Sequence, residues 1–175
     1  MNDVAHVLVT EIPAAIVREV AQSRPEAGDF RDLFPRQQAD IAEHVETRLD
    51  HLDPAAAELA VRLAAALWAI YQRALAGVEI PVLDSRQVGA LEPVARELLD
   101  DLARRQAPVE GAAFDPEWLV GLRRGPQPHV VGFLVGALRA SRLRFPGEVI
   151  FEVAVVLLAV AGTLEAAAAR ARQTA

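Results

Sequence analysis

Residues 53–75 read DPAAAELAVRLAAALWAIYQRAL, and this stretch decides the fold class. Asp53 is a favoured helix N-cap, and Pro54 suits the first helical position because its missing N–H is not needed there. Only four strongly polar side chains follow, and they share one narrow stripe of the helix, namely Glu58, Arg62, Gln72 and Arg73. Since the rest of the circumference is apolar or alanine, the stretch predicts a central helix that other helices cover.

A second strongly apolar segment runs from Pro146 to about Arg172. It is apolar around most of its circumference between Val149 and Leu164, so it must be covered on several sides. Glu152 interrupts its longest apolar run, which is shorter than the roughly 18 to 20 residues that a membrane-spanning helix needs. We therefore expect a core helix without a membrane, and we expect 54–75 and 146–172 to form the inner pair of a bundle.

Prolines and capping residues divide the rest of the chain into further helical segments. The predicted segments are 4–23, kinked or divided at Pro13; 35–52; a short helix from Ser85 and a longer one over 93–105; a short helix over 116–124; and 128–142. Residues 78–82 contain a proline and predict an extended connector rather than a sheet. The sequence thus predicts an all-α bundle of about six or seven helices, with residues 1–175 forming a single helical domain.

The composition excludes several classes of site. The chain has no cysteine, which removes disulfides, thiol nucleophiles and cysteine-dependent metal centres. A net charge of −6 disfavours nucleic-acid binding, because a protein that neutralises phosphates usually carries the opposite sign. The first residues lack the pattern of a secretory signal, so we expect a cytoplasmic protein. Neither a phosphate-binding glycine loop nor a serine nucleophile motif is present, and we expect no cofactor.

The segment from Trp118 to Gly147 stands out because its thirty residues include no acidic side chain. Residues 1–100, by contrast, contain 9 arginines against 17 acidic residues. Six basic side chains of this segment are candidate partner-binding residues: Arg123, Arg124, His129, Arg139, Arg142 and Arg144. This pattern predicts docking of an acidic protein partner or an anionic ligand. The alternative is that these side chains pair with the acids of the first hundred residues and stabilise the fold.

Small residues recur every four positions within the same segment, at Gly132, Gly136 and Ala140. They make a smooth helix face that another helix can approach closely. We expect this face to pack on the last helix of the domain, and a homodimer contact is the alternative.

Asp40, His44 and His51 are the weak candidates for a metal site, since they line one edge of a predicted helix. His44 and His51 lie about 10.5 Å apart along the helix axis, too far to share one ion. The His-Glu-x-x-His zinc pattern is also absent. We therefore predict no metal centre and interpret these side chains as a solvated helix edge, with local contacts of Asp40 with His44 and of Thr47 with His51.

These observations favour a non-enzymatic protein-interaction or regulatory protein that engages a protein partner, with a homodimer as one form of that contact. Two alternatives come from other functional classes. One is a helical pocket between the inner helices that binds an apolar small molecule or an acyl chain. The other is a metal-dependent enzyme that uses Asp40, His44 and His51.

Overall fold

The computed structural model describes residues 11–23, 29–106, 114–124, 127–142 and 144–174. In these ranges the chain forms seven α-helices and one 3₁₀ helix and no strand, which confirms the all-α class. The elements are α1 (Ala14–Gln22), α2 (Phe30–Gln37), α3 (Ala39–Asp50), α4 (Pro54–Ala74), α5 (Ser85–Gln106), the 3₁₀ helix (Pro116–Arg124), α6 (Pro128–Ser141) and α7 (Gly147–Thr174). Residues 4–10 of the first predicted helix lie outside the described residues, and α1 begins directly after Pro13.

The helices α4 and α7 form the inner pair, as the sequence predicts. They pack against each other, while α5 covers α7 and α1, α2 and α3 cover α4. Leu67 and Ile70 of α4 and Ile150 and Leu157 of α7 are completely buried. The Asp53 carboxylate accepts hydrogen bonds from the next two free backbone N–H groups at 2.8 and 3.2 Å, which confirms the predicted cap.

Two prolines lie inside helices, and the predicted helix starts at these positions are wrong. Pro35 lies inside α2, which begins earlier, where the Asp29 side chain caps its first turn. Pro93 lies inside α5, which is continuous from Ser85. An interior proline costs about 3 kcal/mol because it removes a hydrogen bond and crowds the preceding turn. Burial of apolar side chains in the same helices offsets this cost, as with Phe30 and Phe34 in α2 and Val88 and Leu99 in α5.

The predicted extended connector between α4 and α5 has neither helix nor strand over residues 78–84. Two glutamine side chains hold it in place, Gln72 from α4 and Gln38 from the junction of α2 and α3. Each amide nitrogen donates to one connector carbonyl at 3.0 Å, and each amide oxygen accepts from one connector N–H at 2.9 Å. The partners are Val78 and Ile80 for Gln72, and Pro81 and Leu83 for Gln38. The connector thereby fixes where α5 starts beside α3 and α7.

By length and composition alone, α4 and α7 are also apolar enough to cross a membrane. In the most apolar window of each helix, 67% and 61% of the residues are buried inside the protein. A core helix that is mostly buried meets the same criterion, so this finding is weak evidence about membranes. The expectation of a protein without a membrane span stays a prediction.

Candidate functional site

The basic side chains of the acid-free segment are spread over the surface of α6 and its neighbours. The structure describes four of these six side chains. Three of the four form ion pairs of 3.0 Å, and the remaining one lies against an aromatic ring. The pairs are His129 with Glu11, Arg139 with Glu117 and Arg142 with Asp115, and the Arg144 guanidinium lies 5.6 Å from the Phe145 ring centroid. Arg123 and Arg124 end the 3₁₀ helix, but their side chains lie outside the described part of the structure. Only one of these acidic partners belongs to the first hundred residues, and the other two directly precede the acid-free segment.

Two of the three small residues of the α6 face do not pack on the last helix, so the expectation is wrong for them, while Gly132 is partly buried. Gly136 and Ala140 are exposed, and a methyl group added at Gly136 would meet no atom within 4 Å. The reason is that α6 packs chiefly against the 3₁₀ helix and turns this face outward. Its buried side chains, Leu134 and Leu138 among them, lie on another face.

The metal candidates Asp40, His44 and His51 line one open surface cleft of about 610 Å³. The sequence predicts a contact of His44 with Asp40, and the structure shows a different partner. The Nε2 atom of His44 lies 2.7 Å from Oε1 of Glu92. Among the described residues, no three histidine or acidic side chains lie close enough together to hold a metal ion.

His44 instead belongs to an ionic network that joins α3, α5 and α7. Glu92 contacts both His44 and Arg48. The Nε atom of Arg48 donates to Glu92 at 3.0 Å, and its Nη2 atom donates to Glu152 at 3.1 Å. Arg96 closes the network with two hydrogen bonds of 2.8 and 2.6 Å to the Glu152 carboxylate. The hydrogen bonds from Arg96 hold the pKa of Glu152 below its ordinary value, and the charges of Arg96 and Arg48 act in the same direction against the effect of burial. Because these charges satisfy one another, we assign the network to holding three helices together.

A different cavity lies between α5, α6 and α7, and we call it the groove. Its volume is about 310 Å³. Apolar side chains make up most of its lining: Leu91, Val94, Ala95, Leu98, Leu122, Val130, Val131, Leu134, Leu158, Ala159, Ala161 and Gly162. Val94 and Leu98 on α5 remain 60% and 39% exposed, so apolar surface continues to solvent beside it. Apolar concave surface of this kind is typical of sites for small ligands.

Three polar side chains also line the groove: Tyr71 from α4, Gln127 before α6 and Glu165 from α7. Gln127 is only 5% exposed, and its amide oxygen accepts a 2.9 Å hydrogen bond from the N–H of Ile12. Its amide nitrogen is buried and makes no hydrogen bond of acceptable geometry in the described part of the chain. Most buried polar groups of folded proteins have a well-formed hydrogen bond, so this nitrogen is an incompletely satisfied donor at a ligand-sized cavity.

Glu165 is half-buried, and no arginine or histidine pairs with it among the described residues. Burial raises the pKa of its carboxyl, and a hydrogen-bonding interaction with the Gln127 side chain, although poorly aligned, opposes this effect. Burial also raises the pKa of the Tyr71 hydroxyl, and the charge of Glu165 adds to the increase. Tyr71 therefore keeps its proton at neutral pH, while Glu165 carries an uncompensated charge when it is ionised. The groove thus combines an apolar body with a polar end that offers one donor and one acidic group.

Neither Gln127 nor Glu165 stands out as a site residue in the sequence. The available signal was weak: Glu165 is an isolated acid between Leu164 and a run of alanines, and Gln127 lies between two prolines. They are 38 positions apart in the sequence, and only the packing of α6 beside α7 brings them to one cavity. We compared the chain with protein-family models, curated proteins and solved structures, and none of them matches it.

Proposed function

We propose that this chain is a non-enzymatic binding protein whose groove takes a small molecule with an apolar body and a polar end. The observation that carries the proposal is a ligand-sized apolar cavity with Gln127 and Glu165 at one end, where the buried Gln127 amide nitrogen has only a poorly aligned contact with the Glu165 carboxylate. A buried donor with no partner costs about 1–3 kcal/mol, so a poorly aligned one costs part of this, and a ligand oxygen placed beside it would recover that part. The ligand's apolar body would meanwhile cover side chains that are now partly exposed, such as Val94 and Leu98.

The size and lining of the groove support a ligand of few atoms. Its volume of about 310 Å³ lies at the lower end of the range, roughly 300–1,000 Å³, of known ligand pockets. Such pockets are usually lined by apolar side chains with a few polar groups that orient the ligand. By contrast, the charged side chains of the ionic network around Glu152 already bind one another, which leaves them less available to a ligand.

A simple probe for this function is 1-octanol, whose hydroxyl oxygen can accept a hydrogen bond from Gln127. A ligand present at about 100 times its Kd stabilises the native state by about 2.7 kcal/mol. For a chain of this size, that corresponds to an increase in Tm of roughly 5–10 °C. We expect thermal unfolding to show this increase and calorimetric titration to show saturable binding.

Two matched variants on α7 locate the binding. Ala161 lines the groove and is half-buried, so Ala161→Phe places a ring in the cavity; Ala166 is exposed on the same helix. We expect Ala161→Phe to lose octanol binding and Ala166→Phe to keep it, provided that circular dichroism shows both to be folded. Equal binding by the two variants, or no binding by the unmodified chain, would refute the proposal.

A second candidate function is protein interaction through the exposed face of α6. Arg139 is 70% exposed and Arg142 is 45% exposed, and the acids that pair with them are also partly exposed. Exposed ion pairs contribute only about 0–1 kcal/mol, so acidic groups of a partner can replace the internal ones at little cost. The smooth exposed surface at Gly136 and Ala140 would let that partner approach α6 closely.

This second proposal is tested by replacing both arginines with glutamine and repeating affinity capture and light scattering. Arg86→Gln is the matched control, because Arg86 is 91% exposed and belongs to α5 instead. We expect the double variant to lose a captured acidic partner, or the homodimer, and the control to keep it. The proposal fails if the unmodified chain captures nothing reproducibly, or if the double variant captures the same proteins.

A further inference from the structure

We infer that the ligand of the groove is a small apolar amine whose ammonium group pairs with Glu165. This inference rests on the proposed function, since it names the chemical class of the groove's ligand. It starts from the charges that line the cavity. Among the described lining residues, Glu165 is the acidic side chain, and none is an arginine or histidine. As far as its described side chains show, the groove therefore presents one negative charge in apolar surroundings, and none of those side chains supplies a compensating positive charge.

The groups that face Glu165 support a cation. Tyr71 faces it from α4 and Gln127 from the start of α6, while the lining side chains of α5 are apolar. A half-buried carboxylate has lost part of its hydration, and neither a tyrosine hydroxyl nor an amide replaces that hydration with a full positive charge. A ligand ammonium at this position would supply both the charge and the hydrogen bonds.

The same charges argue against a fatty acid or another acyl anion. A bound carboxylate is normally met by arginine, lysine or histidine, and the chain contains no lysine. In the groove, a ligand carboxylate would instead lie near Glu165 and be repelled by it. A neutral alcohol would satisfy the Gln127 nitrogen but leave Glu165 without a counter-charge, so it should bind with intermediate affinity.

Three probes with the same eight-carbon chain separate these possibilities: octylamine, 1-octanol and octanoate. Calorimetric titrations are run at about pH 8, well above the ordinary pKa of a glutamate and below that of an alkylammonium group. Salt at about 0.15 M screens the general attraction of cations to an acidic chain. We expect octylamine to bind at least about tenfold more tightly than 1-octanol, and octanoate at least about tenfold more weakly than 1-octanol.

The variant Glu165→Gln tests whether this preference comes from the groove. It should bring the ratio of the octylamine and 1-octanol affinities to about one, and this ratio within the same variant is the quantity compared. Glu148→Gln is the matched control, because Glu148 is exposed in the first turn of α7, about 25 Å along the helix from Glu165. The control should keep the full preference for the amine.

The outcomes distinguish the inference from the proposed function. If 1-octanol binds and octylamine binds no better, the amine inference is wrong and the groove remains a ligand site. If the preference for octylamine survives in Glu165→Gln, it comes from the overall negative charge and the inference is again wrong. If none of the three probes binds, the proposed function fails and the inference fails with it.

Discussion

Replacing Glu152 with glutamine tests the ionic network that holds α3, α5 and α7 together. The carboxylate accepts two hydrogen bonds from Arg96 and one from Arg48, all between 2.6 and 3.1 Å. Hydrogen bonds to a charged group contribute about 1.5–3 kcal/mol each when buried. Glutamine keeps one acceptor oxygen but turns its amide hydrogens toward an arginine. Because the three side chains are 20–37% exposed, we expect a net loss of about 2–3 kcal/mol.

The assay is thermal and urea unfolding at several pH values, with Glu148→Gln as the control. For a chain of this size, the loss corresponds to a decrease in Tm of roughly 4–12 °C at pH 7. Since Arg96 lowers the pKa of Glu152 in the folded state, its stabilisation is complete above the pKa of the unfolded chain, about 4.3. It is lost as the pH falls through the lower, folded value, so the difference from the unmodified chain should shrink in acid.

The control separates the effect of breaking the network on stability from the effect of removing a negative charge from α7. Glu148 lies one helical turn before Glu152 and is exposed. Its replacement should change the free energy of unfolding by less than about 1 kcal/mol. The reasoning is refuted if Glu152→Gln destabilises the protein no more than Glu148→Gln does, or if the difference is unchanged at low pH.

Three further predictions concern stability. Burial raises the pKa of Glu165, so its ionised form opposes folding as the pH rises above the unfolded value; Glu165→Gln should increase Tm at pH 7–8 and have no effect near pH 3. Asp53→Ala removes the N-cap of α4 and should cost about 1 kcal/mol in urea unfolding, whereas Asp53→Asn should cost less. Gln38→Ala leaves the N–H of Leu83 and the carbonyl of Pro81 without partners and should cost about 2–4 kcal/mol, with a loss below 1 kcal/mol contradicting the role of Gln38.

The sequence predicts well those helices whose start is marked by local chemistry. Asp53 and Pro54 mark α4, Pro128 marks α6, and the apolar run after Pro146 marks α7; each helix begins within one residue of its predicted start. In these cases the residue that marks the start and the apolar face that follows it indicate the same helix boundary. The inner pair is predictable for the same reason, since only these two helices are apolar around most of their circumference.

The same proline signal fails at Pro35 and Pro93 because proline is compatible with two environments. It favours the first turn of a helix, but packing can also hold it inside a helix that begins earlier. At Pro35, the cap at Asp29 and the burial of Phe30 determine where α2 starts. Local residues alone do not show which environment prevails, since the decision depends on how α2 packs against α4.

The candidate site was less predictable than the fold, since its parts are distant in the sequence. His44 pairs with Glu92, which lies 48 positions further along the sequence, whereas helical spacing predicted a contact with Asp40. Gln127 and Glu165 become a site only when α6 and α7 are placed side by side. The local signals were an acid on a largely apolar helix and a glutamine between two prolines, and the role of each depends on which side chains face it.

The most direct test of the groove is an NMR titration of the chain with 1-octanol that follows the side-chain amide of Gln127. We predict a saturable shift of this amide together with the methyl groups of Leu91 and Leu158, and no such shift in Ala161→Phe. Shifts scattered over the surface, or concentrated at the cleft around His44 and His51, would contradict the account.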